Sequence, residues 1–313
     1  MKRKILITGG AGNVGGSLAR RLASNPENEV VIVDCLLTGS KDKLPPKEND
    51  NWKFIIADVN NIHDISTVMT SHNFDYVFHY AAVVGVKRTL ENPKKVLNDI
   101  EGIRNVLDLS KNTGVKRVFF SSSSEVYGEP FEIPQREDTT PLNSRLPYAI
   151  VKNVGEAFFK SYYQEFGLEY TIFRFFNTYG PLQSTDFVIS KFISLALKGE
   201  DIPIYGDGGQ TRTFCYIDDN LDTTEKILYE NLAVNDVLNL GSDNEMTILE
   251  LANRIIQLTG SSSKLKHFPP LPEGDMSRRK PDISRMRNIL NRELTSLEVG
   301  VEKTAAFIKS NYL

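Results

Sequence analysis

Tyr148 and Lys152 stand four residues apart in the segment PYAIVK, a spacing that puts both side chains on one face of a helix. A phenol ionises near ~10 and is a poor base at neutral pH, but a neighbouring ammonium favours the phenolate and lowers that value. Upstream, the run FFSSSSEVYG (Phe119–Gly128) supplies Ser123, which can donate to a substrate oxygen and relay its proton to Tyr148, and Glu125, an acid that can move a proton on a carbon. An isolated Tyr-x-x-x-Lys also describes an ordinary pair on an amphipathic helix. The assignment therefore depends on what else the chain carries.

The elements that must position these groups read clearly. Apolar runs rich in β-branched and aromatic residues recur as KILIT, EVVIVD, WKFIIAD, DYVFHYAA, KRVFFSSSS, EYTIFRFF and DVLNLG, separated by helical patterns such as SLARRLAS, GIRNVLDLSKNTG and AIVKNVGEAFFKSYYQEFG. Strands apolar throughout, alternating with amphipathic helices, predict an α/β fold with a doubly wound parallel sheet of Rossmann type. The carboxyl ends of such strands face the ligand crevice, which is where the serine run falls. After Asn177 the chain becomes turn-rich, predicting a smaller C-terminal α/β substrate-binding cap. The expected division is interleaved: 1–176 plus about 214–241 for the Rossmann domain, and 177–213 plus about 242–313 for the cap.

The first strand ends in TGGAGNVGG, placing Gly9, Gly12 and Gly15 at a GxxGxxG spacing before a helix, with Asn13 and Val14 inside the turn. Glycines allow the backbone to approach a pyrophosphate, whose charge meets the positive end of the helix dipole. A tight strand-to-helix turn also wants glycine. What raises the pattern above that is Asp34, closing the second strand, where a carboxylate accepts from both adenosine ribose hydroxyls and repels a 2′-phosphate. The predicted cofactor is NAD rather than NADP. Asp58 and Val59 are expected beside the adenine, Ala81 and Ala82 toward the nicotinamide, and Ser121, Tyr148 and Lys152 around the nicotinamide ribose; Val84, Ser123 and Ser124 are expected against the substrate.

Composition excludes several alternatives. The 313-residue chain has 37 Lys and Arg against 40 Asp and Glu, a formal charge of −3, with no basic face for nucleic acid. The two cysteines, Cys35 and Cys215, and the four histidines at 63, 72, 79 and 267 show no disulfide framework and no metal-ligand spacing. A reducing cytoplasm fits, and no stretch approaches the ~20 apolar residues of a membrane helix.

With TGGAGNVG, Asp34, the Ser123/Tyr148/Lys152 set, FRFFNTYGP and GDGGQTRTFCYIDD in view, the chain resembles, nearly end to end, the extended short-chain dehydrogenase/reductase family, in particular its NAD-dependent nucleotide-sugar epimerases, dehydratases and decarboxylases. The resemblance implies that Tyr148 takes a sugar hydroxyl proton at C4 while hydride passes to NAD. It further implies that Asn98 orients the active-site helix, Asn177 contacts the sugar nucleotide, of UDP or GDP type, and Arg212 clamps its pyrophosphate. Asn13 departs from the aliphatic or aromatic residue usual at its place, and Pro272 to Asp275 stand where 4-epimerases carry an arginine, which leaves Arg278 or Arg279 to supply that charge.

The fate of the 4-keto sugar turns on Glu125. Ser123-Ser124-Glu125 is similar to the Thr-Ser-Glu of UDP-glucuronate decarboxylases and of GDP-mannose 4,6-dehydratases; the latter resemble NADP binders, which Asp34 disfavours, and the former, whose RKPDI ending RRKPDIS resembles, have a longer basic segment after NTxGP than PLQSTDFVISKF. Epimerisation needs no acid at 125 and is taken as the first expectation; release of a 4-keto hexose or heptose, decarboxylation and 4,6-dehydration are the enzymatic alternatives, and a silent NAD-binding regulator the non-enzymatic one. The family also implies a role in polysaccharide biosynthesis and a homodimer built on helices at 93–113 and 147–166.

Overall fold

The computed structural model describes residues 2–269 and 278–312, so the expectation placed on Pro272 to Asp275 lies outside the described residues. Each of the seven apolar runs forms a strand: β1 (Arg3–Thr8), β2 (Asn28–Asp34), β3 (Trp52–Ile56), β4 (Tyr76–His79), β5 (Arg117–Ser123), β6 (Glu169–Phe175) and β7 (Asp236–Leu240). They make one sheet in the order β7-β6-β5-β4-β1-β2-β3, with β1–β2, β1–β4, β2–β3 and β4–β5 all parallel. The order reverses between β1 and β4, the switch point at which open α/β sheets take ligands.

Four helices matter for the site: α1 (Asn13–Ala23), α2 (Ile62–Ser71), α3 (Asp99–Thr113) and α4 (Pro147–Phe166). Proline opens α4, where its missing N–H leaves no helical bond unmade. Gly114 and Gly167 end α3 and α4 at φ +78° and +70°. Phe119 stacks on Phe78 of the neighbouring β4 at 4.3 Å, and Phe120 stacks on Phe159 at 4.7 Å, fixing α4 against β5. Gly155 is what allows that approach, since a Cβ there would come within 2.5 Å of Phe120.

By internal packing the chain divides into Met1–Val126, Ser144–Arg174 and Ile227–Leu238, and a second unit of Tyr127–Asn143, Phe175–Lys226 and Asn239–Leu313. The structure draws the division differently from the sequence, most extensively in two places. Tyr127–Asn143 groups with the second unit because Tyr127 Oη donates to Asn239 Oδ1 (2.8 Å), and Gln135 pairs with the chain around Pro281 through backbone bonds to Lys280 and Asp282. Residues 214–226 group there as well: Asp219, buried, is held by Arg292 and Thr295, and Lys226 Nζ donates to Leu290 O (2.9 Å). The second unit is itself α/β, with a parallel pair, Ile202–Tyr205 with Leu265–Phe268, an antiparallel pair, Thr211–Thr213 with Glu245–Thr247, and helices at Val188–Lys198, Ile248–Thr259 and Leu297–Tyr312.

Candidate active site

The turn after β1 is built as the glycine spacing predicts. Gly9 sits at φ +68° with its Cα against Ala81, where a Cβ would lie 2.6 Å from the Ala81 nitrogen, and a Cβ on Gly15 would lie 2.3 Å from Gly9 O. Gly12 is the N-cap of α1 and no side chain caps that end, so the positive end of the helix is left to a ligand. Asn13 Oδ1 is buried without a partner, an orphan acceptor in the cradle that a bound hydroxyl or amide would satisfy. Asp34 is fixed by two backbone donors, Ala11 N to Oδ2 (3.0 Å) and Leu36 N to Oδ1 (2.8 Å), each oxygen retaining a lone pair for a ribose hydroxyl. These residues fit a dinucleotide.

On the next rim segments, Val59 is buried and Asp58 Oδ1 accepts from Asn60 N (2.9 Å), so this carboxylate is engaged in its own turn. Ala81, Ala82 and Val84 are half-buried beyond β4. Asn98, expected to orient the active-site helix, is exposed, and the buried polar group is its neighbour Asp99. Asp99 accepts from Val83 N (2.7 Å) and from Asn60 Nδ2 (3.2 Å), tying the chain after β3 and β4 to the start of α3. The correction is one residue of helical phase: Asn98 is the N-cap of α3, and its side chain leaves on the outer side.

Lys152 is 2% exposed, with Nζ 3.4 Å from Ser121 Oγ and 5.6 Å from the centre of the Tyr148 ring. Burial lowers its pKa from 10.5 to about 8, opposed by the negative charge of Asp99. His79, also buried, is pushed down to about 3 by burial and by Lys152, so it is a neutral imidazole bonded to Thr8 Oγ1 (2.9 Å). Ser123 Oγ accepts from Glu125 N (3.2 Å) at the start of a 3-10 turn, Ser124–Tyr127, and Ser124 is buried. Ser121, Tyr148 and Lys152 are thus brought together, with Ser123 and Glu125 following on the same strand end.

The remaining predicted residues lie in the second unit. Asn177 has φ +36° and donates to Thr213 O (2.9 Å). Arg212 is buried on the strand paired with Glu245–Thr247 and donates to Thr211 O (2.7 Å). Arg278 makes a two-pronged pair with Glu245 (2.5 and 2.7 Å), which holds that carboxyl down to about 2, whereas Arg279 is buried. Two buried groups that the motifs did not disclose stand behind the site: Glu156 on α4 and Arg174 on β6, paired at 2.7 Å.

Residues 5–241 match the model of the NAD dependent epimerase/dehydratase family. The chain is 37% identical over 326 residues to a UDP-N-acetyl-alpha-D-glucosaminuronate decarboxylase of Bacillus cytotoxicus, covering 99% of this chain and 98% of that one. It is 35% identical over 297 residues to UDP-glucuronic acid decarboxylase 3 of Arabidopsis thaliana, covering 93% and 84%. Among solved structures, the UDP-glucose 4-epimerase of Thermotoga maritima with UDP-glucose superposes at a TM-score of 0.92 with 29% identity, covering 99% of this chain and all of that one.

Proposed function

The chain belongs to the NAD-dependent epimerase/dehydratase family, and from that premise we propose that it oxidises C4 of a UDP-linked hexuronate through Tyr148 and releases the C5 carboxyl group as carbon dioxide. NAD held at the turn of residues 9–15 and by Asp34 would supply the hydride acceptor for C4. Tyr148, as phenolate, takes the C4 hydroxyl proton; the Lys152 ammonium, enclosed with little compensating charge but Asp99, favours that phenolate. Ser123 donates to the C4 oxygen. A C4 ketone makes the C5 carboxylate a β-keto acid: the bond to the carboxyl carbon breaks, carbon dioxide leaves, and the electron pair moves onto the C4 oxygen as an enolate held by Ser123 and the protonated Tyr148. Glu125 then returns a proton to C5, and as hydride comes back to C4 Tyr148 gives its proton to the C4 oxygen, which restores the hydroxyl and the phenolate.

The observation that carries this reading is Glu125, half-buried and hydrogen-bonded through its N–H to Ser123, because a proton donor at the carbon next to C4 is needed for decarboxylation and has no task in 4-epimerisation. The Bacillus cytotoxicus relative, similar over its whole length, supports it. Arg212 and Arg279 take the pyrophosphate, and Asn177 the sugar nucleotide; Arg278 is committed to Glu245. The reading includes a cytoplasmic location, which the free Cys35 and Cys215 suit, and a homodimer through α3 and α4, which sedimentation would reveal.

One observation favours 4-epimerisation instead: the segment Pro181–Ser190 has no cation to meet a substrate carboxylate. Incubation with UDP-glucuronate, UDP-N-acetylglucosaminuronate and UDP-glucose, followed by product mass, separates the two. Loss of carbon dioxide from a uronate supports our reading; an isomer of unchanged mass from UDP-glucose, with uronates untouched, replaces it with the second. In either case Tyr148→Phe should lower kcat by about 10²–10⁴-fold with NAD affinity intact.

A further inference from the structure

We infer that Glu156, clamped by Arg174 and Ser122, is a positioning residue for Tyr148 and Lys152, a role that rests on the C4-oxidation reading above. Tyr148, Lys152 and Glu156 follow one another at four-residue intervals, so they form a single stripe along α4. The lower end of that stripe is tied down. Glu156 Oε1 accepts from Ser122 Oγ (2.6 Å) and Arg174 Nε (2.9 Å), and Oε2 from Arg174 Nη2 (2.7 Å). All three residues are 2% exposed. One carboxylate therefore joins α4, β5 and β6 at a point.

Stability alone gives no reason for such a cluster. Taking two charges out of water costs more than an apolar pair of equal volume would, and such a replacement often leaves a protein as stable or more so. What an apolar pair lacks is direction: the fork of a guanidinium meets a carboxylate in one plane and at two fixed contacts. That direction matters here because Ser122 lies between Ser121, which receives the Lys152 ammonium, and Ser123, the donor to the substrate oxygen. Fixing Glu156 to Ser122 fixes the rotation of α4 relative to the two serines. Gly155 removes the slack, since the helix already touches Phe120 with no side chain between them. A displacement of about 1 Å at a reacting group can cost roughly 100-fold in rate.

The test replaces the cluster by apolar residues, Ser122→Ala with Glu156→Leu and Arg174→Met, in the full chain loaded with NAD. We expect an unchanged melting temperature and NAD affinity, an unchanged KM, and a kcat lower by about 100-fold. A triple variant with kcat within about twofold of the parent overturns the proposal. Should it not fold, Glu156→Asp decides: this keeps both charges but shortens the tether by one methylene, so kcat should fall at least about 10-fold at constant KM, and parental kcat there overturns the proposal equally. Tyr148→Phe is measured alongside. If it retains activity, the C4-oxidation reading itself fails; if it is inactive while the cluster variants are fully active, only the positioning role fails.

Discussion

Lys152 should cost this protein stability at neutral pH, and that cost can be measured. Its ammonium is shut in at 2% exposure, and the depression of its pKa from 10.5 to about 8 corresponds, at 1.36 kcal/mol per pH unit, to about 3 kcal/mol of preference for the neutral amine in the folded chain. Between about pH 8 and 10.5 the unfolded chain binds the proton and the folded chain does not, so stability rises with pH across that window, and the penalty is present in full below it. Replacing the amine by an apolar side chain of similar length removes the penalty. Lys152→Met should therefore unfold at higher denaturant concentration than the parent at pH 7, by up to about 3 kcal/mol, with the gap closing toward pH 10.5. The tyrosines with raised pKa, Tyr162, Tyr170, Tyr179 and Tyr216, are present in both proteins and cancel in the difference. Urea unfolding at a series of pH values reads this directly. Catalysis should move the other way, with turnover abolished in the variant and, in the parent, failing above about pH 8 as the ammonium is lost. Asp99→Asn, which takes away the charge supporting that ammonium, should bring the alkaline loss of activity to lower pH. A Lys152→Met protein less stable than the parent at pH 7, with a gap independent of pH, would refute the buried-ammonium argument.

Two further outcomes follow from the binding residues. Asp34→Asn removes the carboxylate held by the Ala11 and Leu36 amides, and NAD affinity measured calorimetrically should fall by about 10-fold while NADP, no longer repelled, gains; parental discrimination between the two would contradict the role of Asp34. Arg212→Ala should raise substrate KM by roughly 10- to 100-fold, the worth of about 1.5–3 kcal/mol in charged hydrogen bonds, whereas Arg278→Ala, whose charge is already answered by Glu245, should leave KM within about twofold; equal effects at both would remove the distinction.

The sheet was legible because parallel strands are covered on both faces, so the runs from KILIT to DVLNLG are mostly apolar, with few polar interruptions, and hard to mistake. The glycine turn, Asp34, and the Tyr148/Lys152 pair were legible because each is set by local spacing. What escaped depended on phase or on distance along the chain. Asn98 and Asp99 are both polar and adjacent, and only the start of α3 decides which one turns inward. Arg278 reads as a candidate clamp until Glu245, far away in sequence, takes its charge. Arg174 had a visible sign: an arginine inside EYTIFRFF puts a charge in the middle of a buried strand, and a buried charge requires a partner. The partner, Glu156, could have been sought on the helix just before it.

Four serines in a row at the end of β5 make sense once each is given its own partner. The run lies where the strand passes into the 3-10 turn, so its members take separate partners, two of them on α4. Ser121 accepts from the Lys152 ammonium, Ser122 donates to the Glu156 carboxylate, Ser123 accepts from the Glu125 amide, and Ser124 enters the 3-10 turn buried. One site needs an acceptor and the next a donor, in the little room left beside Phe120. A hydroxyl is small and can do both. The run is therefore the point where the cofactor side, the helix anchor and the substrate side of one mechanism pass through consecutive residues, and a shift of one residue in its register would exchange their partners and leave the carboxylate of Glu156 with Arg174 as its donor but without the tie to β5.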